Sequence, residues 1–339
     1  MHRLQNCCYL IGILCGMSIM CAAQPIPPVV LTFDTDNMQW YARDVADYSL
    51  YATRKGPTAQ VPAQNFNVWE GIGDVVALNG KPVKGYFRGT VMGLNTSTTY
   101  QPGFGIADVT RGQFAITTVE LLETDGTPIG TIYAMGVIGG PPPPGSPSLQ
   151  TNQNLAVVGG TGAYLGVTGS MGNVAGARPA PAPYRGNASV TEDPAERRNI
   201  GGGQTRRDIV MLIPRERPEV ASDSSGPIIY HTDFRRVTAE NPAVRGETLI
   251  LKVSGLGPTR PNLSPEQTFP TDSNYIVNSP IEATVGGESV EVINKLGWPG
   301  TANLYRVDVR VPAGIPAGAT SLVLRVAAIP GPAVVLPVR

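Results

Sequence analysis

The stretch that decides the fold of this chain reads Leu155-Ala-Val-Val-Gly-Gly-Thr-Gly-Ala-Tyr-Leu-Gly-Val-Thr-Gly-Ser-Met171. It predicts a short apolar strand, a glycine turn over residues 159–162, and a second strand that begins at Tyr164. A phosphate-binding loop would need Lys-Ser or Lys-Thr after the last glycine, or a helix that opens there. The residues after Gly162 are instead rich in glycine and β-branched side chains, which form helices poorly. We therefore predict a β-turn that joins two strands.

The composition of the whole chain favours the same kind of structure. The 339 residues include 40 Gly and 32 Pro, while hydrophobic residues still make up 42%. Such a chain has frequent turns, little room for long helices and enough apolar side chains for a core, which together indicate an all-β fold. Two further hairpins are predicted at Asn79-Gly80 and at Asp125-Gly126. Adjacent hairpins of this kind predict an antiparallel barrel of about eight strands.

The opening stretch resembles the signature turn of the dirigent and allene oxide cyclase barrel family. Upstream of it, the order of Asp108–Phe114, the Asp125-Gly126 turn and Gly130–Gly136 is similar to the hairpin order of that family. The resemblance implies a barrel over residues 29–214, with an apolar lumen that holds a small reactive molecule in one conformation by its shape. It also implies the family's activities, which are cyclisation of an allene oxide and stereochemical guidance of radical coupling. Only the glycine turn, which is structural, can be matched residue by residue.

The second half of the chain has a different pattern. Residues 215–226 are charged and then small and polar, which predicts a linker. Residues 227–339 contain short strands at regular spacing with Gly and Pro corners, which predicts a β-sandwich. Gly255-Leu-Gly-Pro258, Gly286-Gly287 and Tyr305–Pro312 resemble features of the IPT/TIG immunoglobulin-like modules of secreted bacterial proteins. The expected fold class is therefore all-β, an antiparallel eight-stranded barrel followed by an immunoglobulin-like β-sandwich.

Residues 1–23 have the pattern of a secretory signal peptide. A weakly basic start is followed by an apolar run from Cys8 to Cys21, which is shorter than the roughly 20 residues of a membrane span. Cys21-Ala22-Ala23 then offers a small-residue cleavage site. We expect a secreted protein, extracellular or periplasmic, with a retained anchor or a lipoprotein as the alternatives.

The same leader holds all four cysteines and one of the two histidines, so the mature chain would keep His231 as its one imidazole. This disfavours a thiol nucleophile, a Ser-His-Asp triad and a zinc site, and we expect no cofactor and no metal. His231 itself is interpreted as structural or solvated. The charges balance, with 26 Lys and Arg against 26 Asp and Glu, so nucleic acid is not an expected partner.

Three residues of the predicted barrel are candidates for chemistry, because polar groups on an apolar strand face can point into a lumen. If the strand face that bears Phe114 lines the lumen, Glu120 becomes a buried carboxylate able to transfer protons, and it is the catalytic candidate. Otherwise Glu120 faces solvent. Arg88, as an anion-binding group, and Tyr133, as a lumen aromatic, are the ligand-binding candidates. Their alternatives are an outer Arg whose stem covers apolar surface and a Tyr of the core.

These features predict a secreted two-domain protein with a small-molecule-binding barrel, either non-catalytic or guiding the conformation of its ligand. The alternatives are an isomerase similar to allene oxide cyclase and a structural or adhesive cell-surface protein. The expected partners are an apolar small molecule in the barrel and, through the second domain, a cell surface or another copy of the chain. The barrel interior separates these hypotheses, because a lumen filled by Leu, Val and Phe leaves no room for a ligand.

Overall fold

The computed structural model describes residues 26–42, 66–94, 113–138, 155–174, 199–264 and 266–339. The regular structure in these residues is β, arranged in one large sheet up to Ile213 and in smaller sheets after it. No helix occurs among the described residues, and the predicted all-β class is confirmed. The predicted signal peptide over residues 1–23 lies outside the described residues.

Nine strands form the large sheet, and each runs antiparallel to its neighbours. They are β1 (Val29–Ala42), β2 (Phe66–Leu78), β3 (Lys81–Pro82), β4 (Lys84–Leu94), β5 (Gln113–Leu122), β6 (Pro128–Ile138), β7 (Leu155–Gly162), β8 (Thr168–Asn173) and β9 (Asn199–Ile213). The order is β1-β9-β8-β7-β6-β5-β4-β2-β3, and an additional pairing of β1 with β2 closes the ring. Since β3 only extends the hairpin that follows β2, eight strands make up the closed barrel that the sequence predicts.

The two ends of the barrel differ in how the strands are connected. At one end, which we call the hairpin end, short connections join β2 to β4, β5 to β6 and β7 to β8. The predicted Asn79-Gly80 turn is among them, and its two residues have positive φ angles of 50° and 77°, as a type I′ turn requires. At the opposite end, which we call the connection end, the strands are joined through residues outside the described ones. These are residues 43–65, 95–112, 139–154 and 175–198.

The structure corrects the glycine turn that the sequence predicts at residues 159–162. These four residues belong to β7 and pair with β6, and the chain reverses only after them, through residues 163–167. The glycines are needed because backbone segments approach closely here. A Cβ on Gly160, for example, would collide with the carbonyl oxygens of Thr131 and Tyr164. Their role is therefore to let neighbouring strands pack closely, and the turn itself follows at residues 163–167.

Fourteen further strands follow the barrel. They are β10 (Glu219–Val220), β11 (Ser222–Asp223), β12 (Gly226–Pro227), β13 (Ile229–Tyr230), β14 (Thr248–Ser254), β15 (Thr259–Arg260), β16 (Ile276–Val277), β17 (Ile281–Val285), β18 (Glu288–Val290), β19 (Val292–Gly297), β20 (Leu304–Arg310), β21 (Gly318–Val326), β22 (Ile329–Pro330) and β23 (Val334–Val338). A seven-stranded sheet contains β10, β13 to β16, β19 and β20, and a five-stranded sheet contains β17, β18 and β21 to β23. Strands β11 and β12 pair only with each other.

The seven-stranded and five-stranded sheets share a core. Alternate residues of their central strands are buried, such as Leu251 and Val253 on β14 and Leu322 and Leu324 on β21. All four belong to one continuous hydrophobic cluster, which also includes the inward residues of the barrel. Two sheets that bury their inner faces together form a β-sandwich, and we use that name for residues from β10 onward.

The barrel and the sandwich contact each other at the hairpin end. The buried Tyr164 donates a hydrogen bond from its hydroxyl to the Ala327 carbonyl over 3.2 Å. Nearby, Lys295 Nζ lies 3.2 Å from the Glu123 carboxylate. Residues 215–226, which the sequence predicts to be a linker, include β10 and β11, and β10 pairs with β14 of the sandwich.

Candidate functional site

The three candidate residues from the sequence, Glu120, Arg88 and Tyr133, all lie on the outer surface of the barrel. Their strands alternate, and the inward positions next to them are buried residues such as Phe87 and Val119. Arg88 has a side chain that is 54% exposed, Tyr133 is 38% exposed and Glu120 is half-buried. None of the three reaches the lumen, because the strand face that bears Phe114 is the outer one.

On that outer surface the three side chains lie on neighbouring strands. Arg88 and Tyr133 share one row of the sheet, with Thr118 of β5 between them, and Glu120 lies in the next row. Arg88 is held by Glu70, with 3.0 Å between Nε and Oε2. A half-exposed ion pair of this kind contributes little to stability.

The lumen is filled by the side chains of the barrel itself at the hairpin end and through the middle. Its inward apolar residues come from all eight strands, and each is at most 4% exposed. They are Leu31, Phe33, Val75, Phe87, Val91, Ala115, Val119, Leu121, Ile132, Ala134, Leu155, Val157, Met171, Val210 and Leu212. This is the packing of a small barrel whose interior is a core, so it leaves no room for a ligand in this part of the lumen.

Toward the connection end, Trp40 and Met38 fold against two glycines of β2. A Cβ on Gly71 would lie 2.7 Å from the nearest atom of the Trp40 ring, and a Cβ on Gly73 would collide with the Met38 sulfur. The glycines thus make room for the large side chains of the neighbouring strand. The lumen near these residues is occupied by the chain as well.

One ion pair is buried in this apolar interior. Arg206 donates hydrogen bonds to both carboxylate oxygens of Asp208, over 2.6 to 2.8 Å, and its guanidinium lies 4.6 Å from the centre of the Phe87 ring. Asp208 is fully buried and the Arg206 side chain is 10% exposed. Burial raises the pKa of Asp208, while Arg206 acts in the opposite direction.

A signal for this pair is present in the sequence, although it does not stand out among the candidates. Asp208 shares its strand parity with Val210 and Leu212, which makes it a charge on an apolar face. The same rule selects Glu120, where both strand faces are apolar and the parity of the inward face is ambiguous. On β9 the outward face is also largely apolar, so alternation alone does not identify the inward face there either.

A cavity of about 480 Å³ lies between the barrel and the sandwich, and we call it the interdomain cleft. The barrel contributes the chain reversal after β7, with Ala163 and Leu165, and the segment after β9 contributes Arg215 and Glu216. The sandwich contributes residues 255–259 and the segment that leads to Phe269. A volume of this size is within the range of small-molecule sites, roughly 300 to 1,000 Å³.

The interdomain cleft combines an apolar base with polar side chains. Leu256, Phe269 and Tyr305 are at most 5% exposed, whereas Leu165 on the barrel side is 64% exposed. Exposed residues with amide or hydroxyl groups also line it. They are Asn262, Ser264, Gln267 and Asn303. These groups can donate and accept hydrogen bonds without carrying charge.

The cleft is lined by one positively charged and one negatively charged side chain. Arg215 and Glu216 are adjacent in the chain and both line the cleft. Burial and, to a smaller extent, the Glu216 carboxylate raise the pKa of Tyr305 to about 12. The Tyr305 hydroxyl donates a 2.8 Å hydrogen bond to the Gly257 carbonyl, which fixes the wall of the cleft. The cleft therefore offers hydrogen-bonding groups with no excess of either charge.

Among the described residues, no cluster of three His, Cys, Asp or Glu side chains is placed to bind a metal. His231 is buried, with Nδ1 3.0 Å from Glu247 Oε2 and Nε2 3.3 Å from the Asn241 carbonyl oxygen. It lies in the sandwich, and these contacts suit a structural role. Nor does the described part of the chain contain a helix long and apolar enough to cross a membrane.

Comparison with family models and with curated proteins finds no match. Among solved structures, the chain is similar to pyocyanin demethylase, with 16% identity and a TM-score of 0.27. That similarity covers 54% of this chain and 99% of the demethylase chain. A TM-score this low carries no argument about activity, so the function has to be argued from the geometry described above.

Proposed function

We propose that the protein is a secreted, non-catalytic binding protein that holds a small, neutral polar molecule in the interdomain cleft. The observation that carries this proposal is the contrast between the two interior spaces. The described lumen is filled by side chains, while the interdomain cleft leaves about 480 Å³ between barrel and sandwich. The barrel then serves as one rigid wall of the site and does not enclose the ligand.

The chemistry of the walls defines the class of ligand. Asn262, Gln267 and Asn303 present amides, and Leu165 presents an exposed apolar side chain from the opposite wall. A molecule with hydroxyl or amide groups on one side and a hydrocarbon face on the other would satisfy both walls. Neither anions nor cations are favoured, because Arg215 and Glu216 compensate each other.

We also propose that each of the two domains is of the family type that its sequence resembles. The barrel is proposed to be of the dirigent and allene oxide cyclase type, and the sandwich to be an IPT/TIG immunoglobulin-like module. The closed eight-stranded ring and the two sheets with a common core support this assignment. Export to an extracellular or periplasmic location is supported by the signal-peptide pattern of residues 1–23.

The buried ion pair favours a second candidate function, an isomerase similar to allene oxide cyclase with its substrate in the lumen. In that case Trp40 and Met38 would move aside, and Asp208, whose pKa is raised by burial, would carry a proton to or from the substrate. The charge of Arg206 would orient the reacting molecule. This candidate needs a change of packing that the first one does not.

One titration distinguishes the two candidates. N-acetyl-trialanine amide and maltose, as uncharged polar probes, and indole, as an apolar probe, are added at millimolar concentration while ¹H–¹⁵N NMR spectra are recorded. Cleft binding shifts the side-chain amide signals of Asn262, Gln267 and Asn303 with a polar probe. Lumen binding shifts the indole N–H signals of Trp40 and Trp69 with the apolar probe. If the polar probes move none of the three amides, the proposal for the cleft is wrong.

A matched pair of substitutions shows whether such shifts report on the cleft. Leu165 and Val335 are both 64% exposed, but only Leu165 lines the cleft. Leu165→Ser removes the apolar wall and should weaken binding of the polar probe about tenfold, equivalent to about 1.4 kcal/mol. Val335→Ser should leave the affinity unchanged. Equal effects of the two substitutions would show that the probe binds elsewhere.

A further inference from the structure

Three aromatic side chains lie together on the outer side of the seven-stranded sheet of the sandwich, and we call them the aromatic cluster. The ring of Tyr230 is central, with its centre 6.2 Å from that of Phe234 and 6.3 Å from that of Trp298. Tyr230 pairs in the sheet with Ile250, which is buried but does not belong to the hydrophobic cluster that the two sheets share. None of the three rings lines the interdomain cleft, so the aromatic cluster is a separate surface.

Three cationic side chains accompany the rings. Two are arginines with carboxylate partners: Arg236 Nη1 lies 3.0 Å from Asp223 Oδ2, and Arg306 Nε lies 2.7 Å from Asp308 Oδ1. Their guanidinium groups lie 5.8 and 5.9 Å from the centres of two of the rings. The third cation is Lys252, with Nζ 5.3 Å from the centre of the tryptophan ring. In the described part of the chain Lys252 makes no ion pair, so its positive charge is uncompensated there.

Phe234 is the most exposed ring of the aromatic cluster, and its backbone conformation is one that phenylalanine rarely adopts. The residue is 55% exposed and has a φ angle of 62°. A tight turn fixes this conformation, because the Phe234 amide donates a 3.0 Å hydrogen bond to the His231 carbonyl. Backbone strain of this kind is concentrated at binding and active sites. The turn therefore holds an aromatic ring in contact with solvent in a defined orientation.

We propose that the aromatic cluster binds an acidic polysaccharide, whose sugar rings stack on the aromatic side chains and whose carboxylate binds Lys252. The angles between the rings support a chain of linked rings. Tyr230 is inclined by 52° to Phe234 and by 42° to Trp298, so one flat ligand cannot stack on all three. Successive sugars of a polysaccharide can tilt about their glycosidic bonds. Each sugar can place its C–H face against an aromatic ring while its hydroxyls stay in water.

The charge pattern favours a carboxylate over the phosphates of a nucleic acid. Single-stranded nucleic acid also stacks on aromatic rings, but its binding sites follow the phosphates with a series of positive charges. Here Asp308 already binds two nitrogens of Arg306, which leaves Lys252 as the cation without a carboxylate partner among the described residues. A lysine binds an anion as a point charge, which suits the single charge of a sugar carboxylate.

The test is isothermal titration calorimetry of the full chain with trigalacturonate, which is an acidic trisaccharide. Three matched ligands separate the contributions. The trimethyl ester of trigalacturonate has the sugar rings without the charges, tetraglutamate has carboxylates without sugar rings, and oligothymidylate has rings with a phosphate on each unit. Trigalacturonate should bind at least about tenfold more tightly than each of the three, and added salt should weaken its binding.

Each contrary result overturns the proposal. If the ester binds as tightly as the acid, the surface does not recognise charge. If tetraglutamate or oligothymidylate binds as tightly, the surface is assigned to an acidic peptide or to a nucleic acid. If trigalacturonate does not bind at millimolar concentration, the aromatic cluster is not a site for acidic sugars.

Two substitutions locate the binding. Lys252→Met removes the charge and keeps an unbranched side chain beside the tryptophan ring, so it should weaken binding of trigalacturonate about tenfold. Phe234→Gly removes the exposed ring, tolerates the positive φ angle and should also weaken binding about tenfold. The control is Lys84→Met, which removes the charge of an exposed lysine on the barrel and should leave the affinity unchanged. Circular dichroism checks that the variants are folded. Unchanged affinity in Lys252→Met, or an equal loss in Lys84→Met, overturns the proposal.

Discussion

The barrel lumen and the interdomain cleft share the barrel as a wall, but the lumen is filled by side chains and the cleft is open. In the lumen, side chains from eight strands converge on one axis, and a glycine such as Gly71 makes room for a large side chain such as Trp40. In the cleft, a chain reversal of the barrel meets loops of the sandwich, and side chains such as Leu165 and Gln267 stay exposed. Converging strands therefore produce a filled core, while the meeting of two units leaves a space.

The contrast extends to polar groups. The lumen contains a charge pair whose members contact each other and whose carboxylate is fully buried. The cleft contains amides and hydroxyls at its surface, where water can satisfy them. Substitutions in the lumen should therefore change stability, and substitutions in the cleft should change binding.

The largest effect is expected from Asp208→Asn. This change removes a carboxylate that compensates Arg206 inside the barrel, and removing one member of a buried ion pair costs about 3 to 5 kcal/mol. Asp34→Asn is the matched control, because Asp34 pairs with Arg207 through two hydrogen bonds of 2.6 and 2.7 Å at a site where the arginine is 39% exposed. That change should cost at most about 1 kcal/mol. Urea unfolding, followed by tryptophan fluorescence, measures both.

The double variant Arg206→Met/Asp208→Leu keeps the first test interpretable if the single variant does not fold. Replacing both members of a buried pair by apolar residues should recover most of the lost stability. Equal costs for Asp208→Asn and Asp34→Asn would show that the lumen does not differ from the outer surface in the way described.

An intermediate effect is expected from Tyr305→Phe, and it depends on pH. At neutral pH the loss of the hydrogen bond to the Gly257 carbonyl should cost about 1 kcal/mol. The pKa of Tyr305 is raised in the folded state from 10.0 to about 12. Between these values the unfolded chain loses the hydroxyl proton and the folded chain keeps it, so the wild type loses stability as the pH rises, by up to about 2 kcal/mol.

Tyr305→Phe has no hydroxyl at this position, so it does not lose stability in this way as the pH rises. Its deficit relative to the wild type should shrink above pH 10 and reverse as the pH approaches 12, because the other tyrosines contribute equally to both proteins. Urea unfolding at pH 7 and at several pH values above 10 measures the difference. A deficit that stays constant with pH would mean that Tyr305 is not shielded by the cleft wall.

Much of the barrel could be predicted from local sequence. Asn79-Gly80 and Asp125-Gly126 specify hairpins because the turn backbone needs residues that tolerate positive φ, and such signals act within a few residues. The role of the glycine run before Ala163 cannot be predicted in this way. These glycines are needed because the backbone of β6 lies close to them, and no local sequence pattern shows that contact. The position of the turn was therefore misplaced while the pairing of the strands was not.

The inward face and the cleft were less accessible to sequence analysis, for different reasons. On β5 both strand faces are apolar, with Phe114 and Ile116 outward and Ala115 and Val119 inward, so alternation alone could not place Glu120. The cleft joins residues about a hundred positions apart, such as Ala163 and Gly257, and its existence depends on how the barrel and the sandwich meet.

The smallest effect is expected at the cleft itself. Asn262 is exposed and lines the cleft, and its side chain makes no hydrogen bond within the described part of the chain. Asn262→Ala should therefore change the free energy of unfolding by less than about 0.5 kcal/mol. Asn241 is the matched control, because its side chain donates a 2.9 Å hydrogen bond to the Arg236 carbonyl, and Asn241→Ala should cost about 1 kcal/mol. Urea unfolding measures both variants. If Asn262→Ala lowers the free energy of unfolding as much as Asn241→Ala does, the Asn262 side chain stabilises the fold and is not available to a ligand. The cleft would then not differ from the lumen at this residue.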